Sequence, residues 1–457
     1  MSLNAGERHV VAICGGAVAG SEAALLAAER GALVLVVEQN ARPYGKIEDG
    51  LPRWHVALRE KEYAKIDQNL SHPNIRFVPK TRIGRDVAWE TLAGELGMSA
   101  VVLANGAWRD RSLPVEGLGT DGRFVGRGLL YQNPFVYWFN HQHEPGYSGP
   151  RYVVPDGAIV VGGGLASIDV VKIINFDLYG RALKARGIDV DVETMEHEGL
   201  PEVLAHHGLT REELGVKGAT LVYRRRAEDM PLVSVDEGSS AARAAKLEQT
   251  RVKLLGKVLE KYLVHFQPLA SPVAPIVETD ADGKERLAGL VFRRNEVRGK
   301  DLVAVPDEQD GRLEMRAELV VSSIGSIPEP VSGVPMKGEL YRWKDWETGA
   351  LDVDGDVYGL GNVLTGKGNI VESRKNAKKV MGRLVEMRLG LVADDPTLVD
   401  EAHAAARDAA APTIDKALSR PPLAADAVAR IDAWIAARWA AVGYGGDYAQ
   451  WMASHRP

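Results

Sequence analysis

The stretch VVAICGGAVAG at residues 10–20 decides the fold of this chain. It is followed by an Ala-rich segment at residues 21–31 and by a second apolar run at residues 32–38 that ends in an acid. A β-favouring run, a glycine-rich turn, a helix-length segment and another β-favouring run predict one βαβ unit of the kind that binds a dinucleotide. The alternative is a tight strand-to-helix corner that binds no ligand.

The residues of this turn fit the dinucleotide motif at all but one position. Gly15 and Gly20 occupy the first and last positions of G-x-G-x-x-G, and Ala17 stands at the middle one. The N-terminus of the following helix offers unpaired N–H groups and partial positive charge to a pyrophosphate. Glu38 lies 23 residues after Gly15, where a carboxylate can accept hydrogen bonds from both ribose hydroxyls. The unit therefore favours FAD or NAD over a nucleotide with a 2′-phosphate.

Length and composition narrow the class of protein. The 457 residues allow about three domains, and 45% hydrophobic with 26% charged residues indicate a globular protein. A formal net charge of −6 argues against nucleic-acid binding. The single cysteine, Cys14, excludes internal disulfides, a Cys-ligated zinc site and an iron–sulfur cluster on four thiolates, and no metal site is predicted. No signal peptide or membrane span is indicated, so we expect a cytoplasmic protein.

A second copy of the pattern makes the first far more specific. Residues 158–173 read AIVVGGGLASIDVVKI, with Gly162 and Gly164 at the first two glycine positions and Ser167 at the third. Leu165 and Ala166 open the predicted helix and belong to the same binding turn. Two such units in one chain predict two cofactors that meet across a cleft.

The second unit has the opposite charge at its ribose position. Its next predicted strand, residues 219–223, ends in Arg224, Arg225 and Arg226 instead of an acid. A guanidinium fork can bind a 2′-phosphate, which a carboxylate would repel. We therefore expect NADPH on this unit, against the alternative of a solvated basic turn.

Other segments complete the expected organisation. We expect a surface helix pair at 189–217, a hairpin around Asp282-Gly283, buried strands at 99–105 and 316–325, and packing helices after residue 393. The aromatic cluster at 135–139 is expected to be core. The predicted fold class is α/β with two Rossmann-like domains: a discontinuous FAD domain (1–155 and 331–392), an inserted NAD(P) domain (156–330) and a C-terminal helical extension (393–457).

Several local motifs resemble one family of flavoproteins. Residues 8–390 resemble the adrenodoxin reductase-like ferredoxin–NADP reductases and the related small subunit of glutamate synthase. The matching segments are GLPRWH at 50–55, FVYWFN at 135–140, YRR at 223–225 with Met230-Pro231, and the glycine-rich turn at 361–370. Asn362 departs from the family, which has Trp or Asp there, and Ala17 replaces a glycine at the FAD pyrophosphate.

The resemblance implies an FAD-dependent NADPH oxidoreductase. It places FAD on residues 10–38 and 361–371, NADPH on 162–169 and 224–225, and His55 with Asp236 or Glu237 around the nicotinamide. Single electrons would pass to or from ferredoxin or another external iron–sulfur protein, since the chain starts at its nucleotide strand and has no place for such clusters. Glu38, the arginines after residue 223 and the second glycine-rich turn are named above. The other expected cofactor-binding residues are Gly15, Ala17, Gly20, Gly45, Gly106, Gly361, Asn362, Gly368, Asn369 and Ile370.

Two other functions stay open at this stage. The chain could be an electron-input subunit of a larger complex, like the glutamate synthase small chain, with the 189–217 insertion and the tail as docking surfaces. It could also be a non-catalytic flavin-binding interaction protein. The sequence does not fix the oligomeric state or the direction of electron flow.

Overall fold

A computed structural model describes residues 6–233, 240–299, 302–307, 311–346, 348–365, 385–393, 395 and 397–456. The first segment forms a parallel sheet around its first strand. Its elements are β1 (Val10–Cys14), α1 (Val18–Glu29), β2 (Leu33–Val37), α2 (Lys46–Asp49), α3 (Val56–Leu70), β3 (Ile75–Val78), a π-helical turn (Thr91–Glu95), β4 (Ala100–Leu103) and β5 (Arg109–Asp110). β1 pairs in parallel with β2 and β4. Both β1 and β2 are wholly buried, which explains their unbroken apolar sequences.

The second segment forms another parallel sheet, in the order β6-β14-β7-β8-β9. The elements are β6 (Leu129–Tyr131), α4 (Gln132–His141), β7 (Ile159–Gly162), α5 (Leu165–Lys184), α6 (Val192–Glu198), α7 (Leu200–His206), α8 (Arg211–Leu214), β8 (Thr220–Val222), a 3-10 turn (Ala227–Asp229), α9 (Ala241–Lys261), β9 (His265–Gln267), β10 (Ala270–Thr279), β11 (Glu285–Arg298), β12 (Val303–Pro306), β13 (Arg312–Arg316), β14 (Val320–Ser323) and β15 (Ser326–Ile327). β10 and β11 form the antiparallel hairpin predicted around Asp282-Gly283.

The chain then returns to the first sheet and completes it. The returning elements are β16 (Met336–Lys337), β17 (Leu340–Tyr341), β18 (Trp343–Asp345), β19 (Ala350–Leu351), β20 (Val357–Gly359) and α10 (Asn362–Thr365). The finished sheet has the order β18-β19-β20-β4-β1-β2-β3, with β20 parallel to β4. The predicted α/β class with two Rossmann-like sheets is confirmed.

Both glycine-rich turns lie where the strand order reverses. In the first sheet β1 has β2 on one side and β4 on the other. In the second sheet β7 has β8 on one side and β14 on the other. Open parallel sheets bind ligands beyond the carboxyl ends of the strands at such reversal points. The topology therefore gives the chain two equivalent crevices.

The change of sheet comes earlier than the expected boundary at 155/156. β5 and β15 pair with each other, Arg109 opposite Ile327, where the chain leaves the first sheet and comes back. β6 already belongs to the second sheet, with Leu129 opposite Val320. The sequence of β6 is typical of a short buried strand and does not indicate which sheet the strand joins. Its sheet is set by a partner far along the chain, so a local pattern does not reveal it.

The C-terminal segment is helical, as predicted, and packs on the first sheet. Its elements are α11 (Thr397–Leu418), α12 (Ala425–Val442) and α13 (Tyr448–His455). In α12, Val428, Ile431 and Ile435 are buried against the first domain, as their spacing predicts. The Trp439 indole N–H donates to the Phe77 carbonyl of β3 at 2.8 Å. The tail is therefore an integral cover of the first domain.

The 189–217 insertion differs from the expected surface helix pair. It contains three short helices, α6 to α8, and Met195, Leu200, Val203 and Leu204 enter the core of the second domain. The Glu196 carboxylate also pairs with the fully buried Lys172 ammonium at 2.8 Å. Apolar residues spaced over two short helices were too few to show this burial in the sequence.

The aromatic cluster is core with one exception. Phe135, Trp138 and Phe139 are buried, whereas Tyr137 is 42% exposed on the outer face of α4.

In the described part of the chain, no helix combines the length and the apolar composition that a bilayer crossing requires.

Candidate functional site

The first glycine-rich turn needs glycine at its two outer positions. Gly15 follows β1 with a φ of +103°, and a Cβ there would stand 2.5 Å from the Ala104 carbonyl oxygen. A Cβ on Gly20 would stand 1.9 Å from the Gly15 carbonyl oxygen. Ala17 has a φ of −70° at the N-cap of α1, where any L-residue fits. The backbone of this turn therefore tolerates the departure from the glycine motif.

Glu38 lies directly after β2, at the mouth of the same turn. Its carboxylate is 5% exposed and accepts hydrogen bonds from the Gly16 N–H at 2.9 Å and the Asn40 N–H at 3.0 Å. Burial raises the pKa of Glu38 to about 7. The acid thus occupies the expected position beside the turn, held by backbone donors, and each oxygen keeps acceptor capacity for a ligand.

A cleft that is open to solvent runs along this turn. It brings together the predicted cofactor-binding residues of the first domain that the structure describes, except Gly20, which packs behind the turn. Those that line the cleft are Gly15, Ala17, Glu38, Gly45, Gly106, Gly361 and Asn362. The predicted residues Gly368, Asn369 and Ile370 lie outside the described residues.

Further cleft residues were not predicted from the sequence. They include Lys46, Arg82, Asn105 and Trp108. Lys46, Asn105 and Trp108 carried some signal, since each stands next to or near a predicted cofactor-binding glycine, whereas Arg82 carried none. The buried Asn105 Oδ1 and Asn362 Oδ1 have no hydrogen-bond partner among the described residues. Buried acceptors without a partner, next to a glycine-rich turn and a carboxylate, fit a ligand that carries hydroxyl and amide donors. FAD carries both kinds of donor.

The second turn uses its glycines differently from the motif. A Cβ on Gly162 would stand 2.3 Å from the Ser323 carbonyl oxygen, and one on Gly163 would stand 2.2 Å from the Tyr223 ring. A Cβ on Gly164, the N-cap of α5, would meet nothing within 4 Å. The first two glycines are thus needed for packing, while Gly164 leaves open space at the helix N-terminus. Leu165 and Ala166 form the first turn of that helix.

The three arginines after β8 have different surroundings. The Arg226 guanidinium pairs with Asp229 at 2.8 Å and with Glu228 at 3.3 Å. Arg224 is exposed at its surface. Two effects lower the pKa of its guanidinium: partial burial of the side chain and the positive charge of the neighbouring Arg225. Within the described ranges, neither Arg224 nor Arg225 forms an ion pair. Arg224 is exposed, so its guanidinium is available to an anion; Arg225 is half-buried and hydrogen-bonds the Tyr223 side chain but carries no ion pair, and Arg226 is already paired.

The two domains meet at the segment that carries His55. His55 is 2% exposed at the N-cap of α3. The neighbouring Trp54 ring lies 5.3 Å from the Phe176 ring of α5, and the Lys172 ammonium lies 4.7 Å from the Trp54 ring centroid. The helix that starts at the second glycine-rich turn therefore packs directly on the His55 segment of the first domain.

The described acid nearest in role to the ones predicted around His55 is Asp169. Asp236 and Glu237 lie outside the described residues. Asp169, which was not singled out from the sequence, interacts electrostatically with His55 from the second turn of α5, and burial raises its pKa. Its Oδ2 has no hydrogen-bond partner among the described residues. The only signal for Asp169 in the sequence was its place one helical turn after the glycines.

Comparisons with known proteins support the same fold. No family model matches the chain. The chain is 24% identical over 341 residues to the mitochondrial NADPH:adrenodoxin oxidoreductase of Arabidopsis thaliana, which covers 68% of this chain and 66% of that relative. The match thus spans just under two thirds of the relative's length.

Solved structures agree over almost the whole chain. A histidine variant of FprA from Mycobacterium tuberculosis superposes with a TM-score of 0.61 at 20% identity, covering 94% of this chain and 90% of that one. FprA in complex with NADPH gives a TM-score of 0.58 at 21% identity, covering 88% and 90%. These comparisons confirm the resemblance and the two-domain fold predicted from the sequence.

Proposed function

We propose that this chain, which shares its fold with FprA, is an FAD-dependent NADPH oxidoreductase. The observation that carries the proposal is the pair of glycine-rich turns at the two strand reversals, one marked by Glu38 and the other by Arg224 and Arg225. A buried carboxylate suits an adenosine with free ribose hydroxyls, and guanidinium groups that are not in ion pairs suit one with a 2′-phosphate. The first sheet would hold FAD and the second NADPH.

The residues of the chain would act mainly by positioning the two cofactors. FAD supplies the hydride- and electron-accepting chemistry. The N-terminus of α1 would bind its pyrophosphate, Glu38 its ribose, and Gly361 with Asn362 would approach its other end. Trp54 packs on Phe176 of α5, so the first domain contacts the helix that starts at the second turn, and this contact would help to orient the two bound cofactors for hydride transfer. His55 and Asp169 would border the place where the rings meet.

We propose an external iron–sulfur protein as the partner that exchanges single electrons with the chain. The plant relative is named as an adrenodoxin oxidoreductase, and FprA has been solved with NADPH. A flavin can receive two electrons as hydride and release them singly, which is what such a partner needs. Ferredoxins belong to the same chemical class.

Steady-state kinetics test this function. The purified protein, reconstituted with FAD, should oxidise NADPH in the presence of ferricyanide, a one-electron acceptor, and should prefer NADPH to NADH. A reduced flavin spectrum on mixing with NADPH, with slow turnover until ferricyanide is added, would support it. A flavin-loaded protein that neither nicotinamide reduces would contradict it and favour a non-catalytic flavin-binding protein.

A further inference from the structure

Lys46 places an ammonium group at the wall of the first cleft. It follows Gly45 at the start of α2 and lines the cleft. Its Nζ donates to Asn133 Oδ1 at 2.9 Å and to Ser326 Oγ at 3.3 Å, both neutral acceptors. Among the described residues, no carboxylate forms an ion pair with it. Such a charge, desolvated and held by neutral groups, exerts its field on whatever fills the cleft.

The ammonium lies at the domain-crossing end of the cleft. It is 5.5 Å from the centroid of the Trp108 ring, which also lines the cleft. Asn133 donates to the Trp108 carbonyl at 2.9 Å, and Ser326 belongs to β15, the strand that leads back to the first domain. Glu38, by contrast, marks the adenosine side at the turn. A flavin ring that exchanges hydride with NADPH must lie toward the second domain, on the Lys46 side.

The charges that face Lys46 come from its own helix, α2, and from two other places in the fold. Asp110 of β5 is buried, accepts from the Asn133 N–H at 3.1 Å, and has a pKa raised to about 7 by burial. Asp49 of α2 and Arg388 act on Lys46 from a greater distance. Burial lowers the pKa of Lys46 to about 8. The lysine therefore keeps its proton at neutral pH, while Asp110 opposes it only in part.

We propose that Lys46 sets the reduction potential of the bound flavin by stabilising its reduced form. The inference rests on the proposed function. Hydride brings two electrons and one proton, so the reduced ring carries one more negative charge than the oxidised ring until a second proton binds. A fixed positive charge at that end of the cleft favours the more negative state. The same charge would have little effect on the neutral oxidised ring.

The test compares potentials of the holoprotein and three variants. Each is equilibrated anaerobically with a reference dye, and the flavin and dye spectra give the midpoint potential. At the wild-type midpoint, Lys46→Met should lower the reduced-to-oxidised ratio about tenfold, which is about 30 mV for a two-electron couple. Lys46→Arg should restore the wild-type value. Lys337→Met, which removes an exposed lysine of β16, should leave the potential unchanged.

A fourth variant, at Asp110, tests the sign of the effect. Asp110→Asn removes the opposing carboxylate and keeps an acceptor for the Asn133 N–H, so the potential should rise. A wild-type potential in Lys46→Met, or a fall in Asp110→Asn, would overturn the inference. Loss of FAD from Lys46→Met with retention by Lys46→Arg would also overturn it, since the charge would then serve the oxidised cofactor.

The two proposals fail in distinguishable ways. A wild-type chain that binds no flavin, or whose flavin NADPH does not reduce, contradicts the proposed function. A wild-type flavin that NADPH reduces, with equal potentials in wild type and Lys46→Met, contradicts only the role of Lys46.

Discussion

Glu38 and Gly16 are joined across the first turn by a hydrogen bond in which the Gly16 N–H donates to Glu38 Oε2 at 2.9 Å. Asn40 donates to the other carboxylate oxygen at 3.0 Å. These bonds fix the orientation of the carboxylate before any ligand arrives. Burial works against its ionisation and raises its pKa to about 7. Ligand binding at this acid should therefore be linked to a proton.

FAD binding to the apoprotein should weaken as the pH falls through 7. Ribose hydroxyls donate to the carboxylate form, so a protonated Glu38 must lose its proton before it accepts them. The affinity should fall by up to about tenfold per pH unit below the pKa. Fluorescence titrations of apoprotein with FAD at pH 6 and pH 8 measure this. Glu38→Gln should bind weakly with no such slope, and an equal slope in both proteins would exclude Glu38 as its source.

Glycine substitutions should separate folding from nucleotide binding at the second turn. Gly164→Ala should leave flavin content and melting temperature unchanged, since its Cβ meets nothing within 4 Å, yet raise KM for NADPH several-fold by blocking the approach of phosphate. Gly163→Ala should lower the melting temperature, because its Cβ would strike the Tyr223 ring. Gly256→Ala, at an open helical position, is the control. An unchanged KM in Gly164→Ala would place the nucleotide elsewhere.

Local sequence patterns predicted much of this arrangement because they report local physics. The runs at β1 and β7, the glycine-rich turns and the residues that follow β2 and β8 belong to two βαβ units, each formed by consecutive elements of the chain. Three other features depend on contacts with distant segments: which sheet β6 joins, the burial of the 189–217 helices, and the position of Lys46 in the cleft. Lys46, for example, meets Ser326 only after the chain returns through β15. No periodicity encodes such contacts.

Arg224→Ala should reduce the preference for NADPH over NADH by about ten- to a hundredfold, since a charge-assisted hydrogen bond contributes about 1.5–3 kcal/mol. The change should appear in KM for NADPH, with little effect on NADH. Arg226→Ala is the matched control, because that guanidinium already pairs with Asp229 at 2.8 Å. Equal losses with both nucleotides in Arg224→Ala would remove the phosphate-binding role.

The buried His403 should make the docking of the C-terminal helices pH-dependent. Burial alone would lower the pKa of His403, but hydrogen bonds to Glu22 at 2.7 Å and Glu62 at 2.9 Å raise it to about 8. A raised histidine pKa stabilises the fold fully below the unfolded value of 6.5, and this contribution is lost as the pH rises through 8. The contribution of this protonation to the free energy of unfolding is about 2 kcal/mol.

Melting curves check this linkage. His403→Gln should lower the apparent melting temperature more at pH 6 than at pH 9, relative to wild type at the same pH. His207→Gln, at an exposed position of the insertion, should show no difference at either pH. A deficit in His403→Gln that is the same at both pH values would mean that the charge of His403 plays no part.

The central claim is that one chain holds FAD on the Glu38 crevice and NADPH on the Arg224 crevice, with the two in contact. The visible spectrum of the purified protein, recorded before and after anaerobic addition of NADPH, tests it most directly. We predict flavin absorption near one FAD per chain that NADPH bleaches and that NADH bleaches far more slowly. A preparation that stays colourless after incubation with FAD, or a flavin spectrum that NADPH leaves unchanged, would contradict the claim.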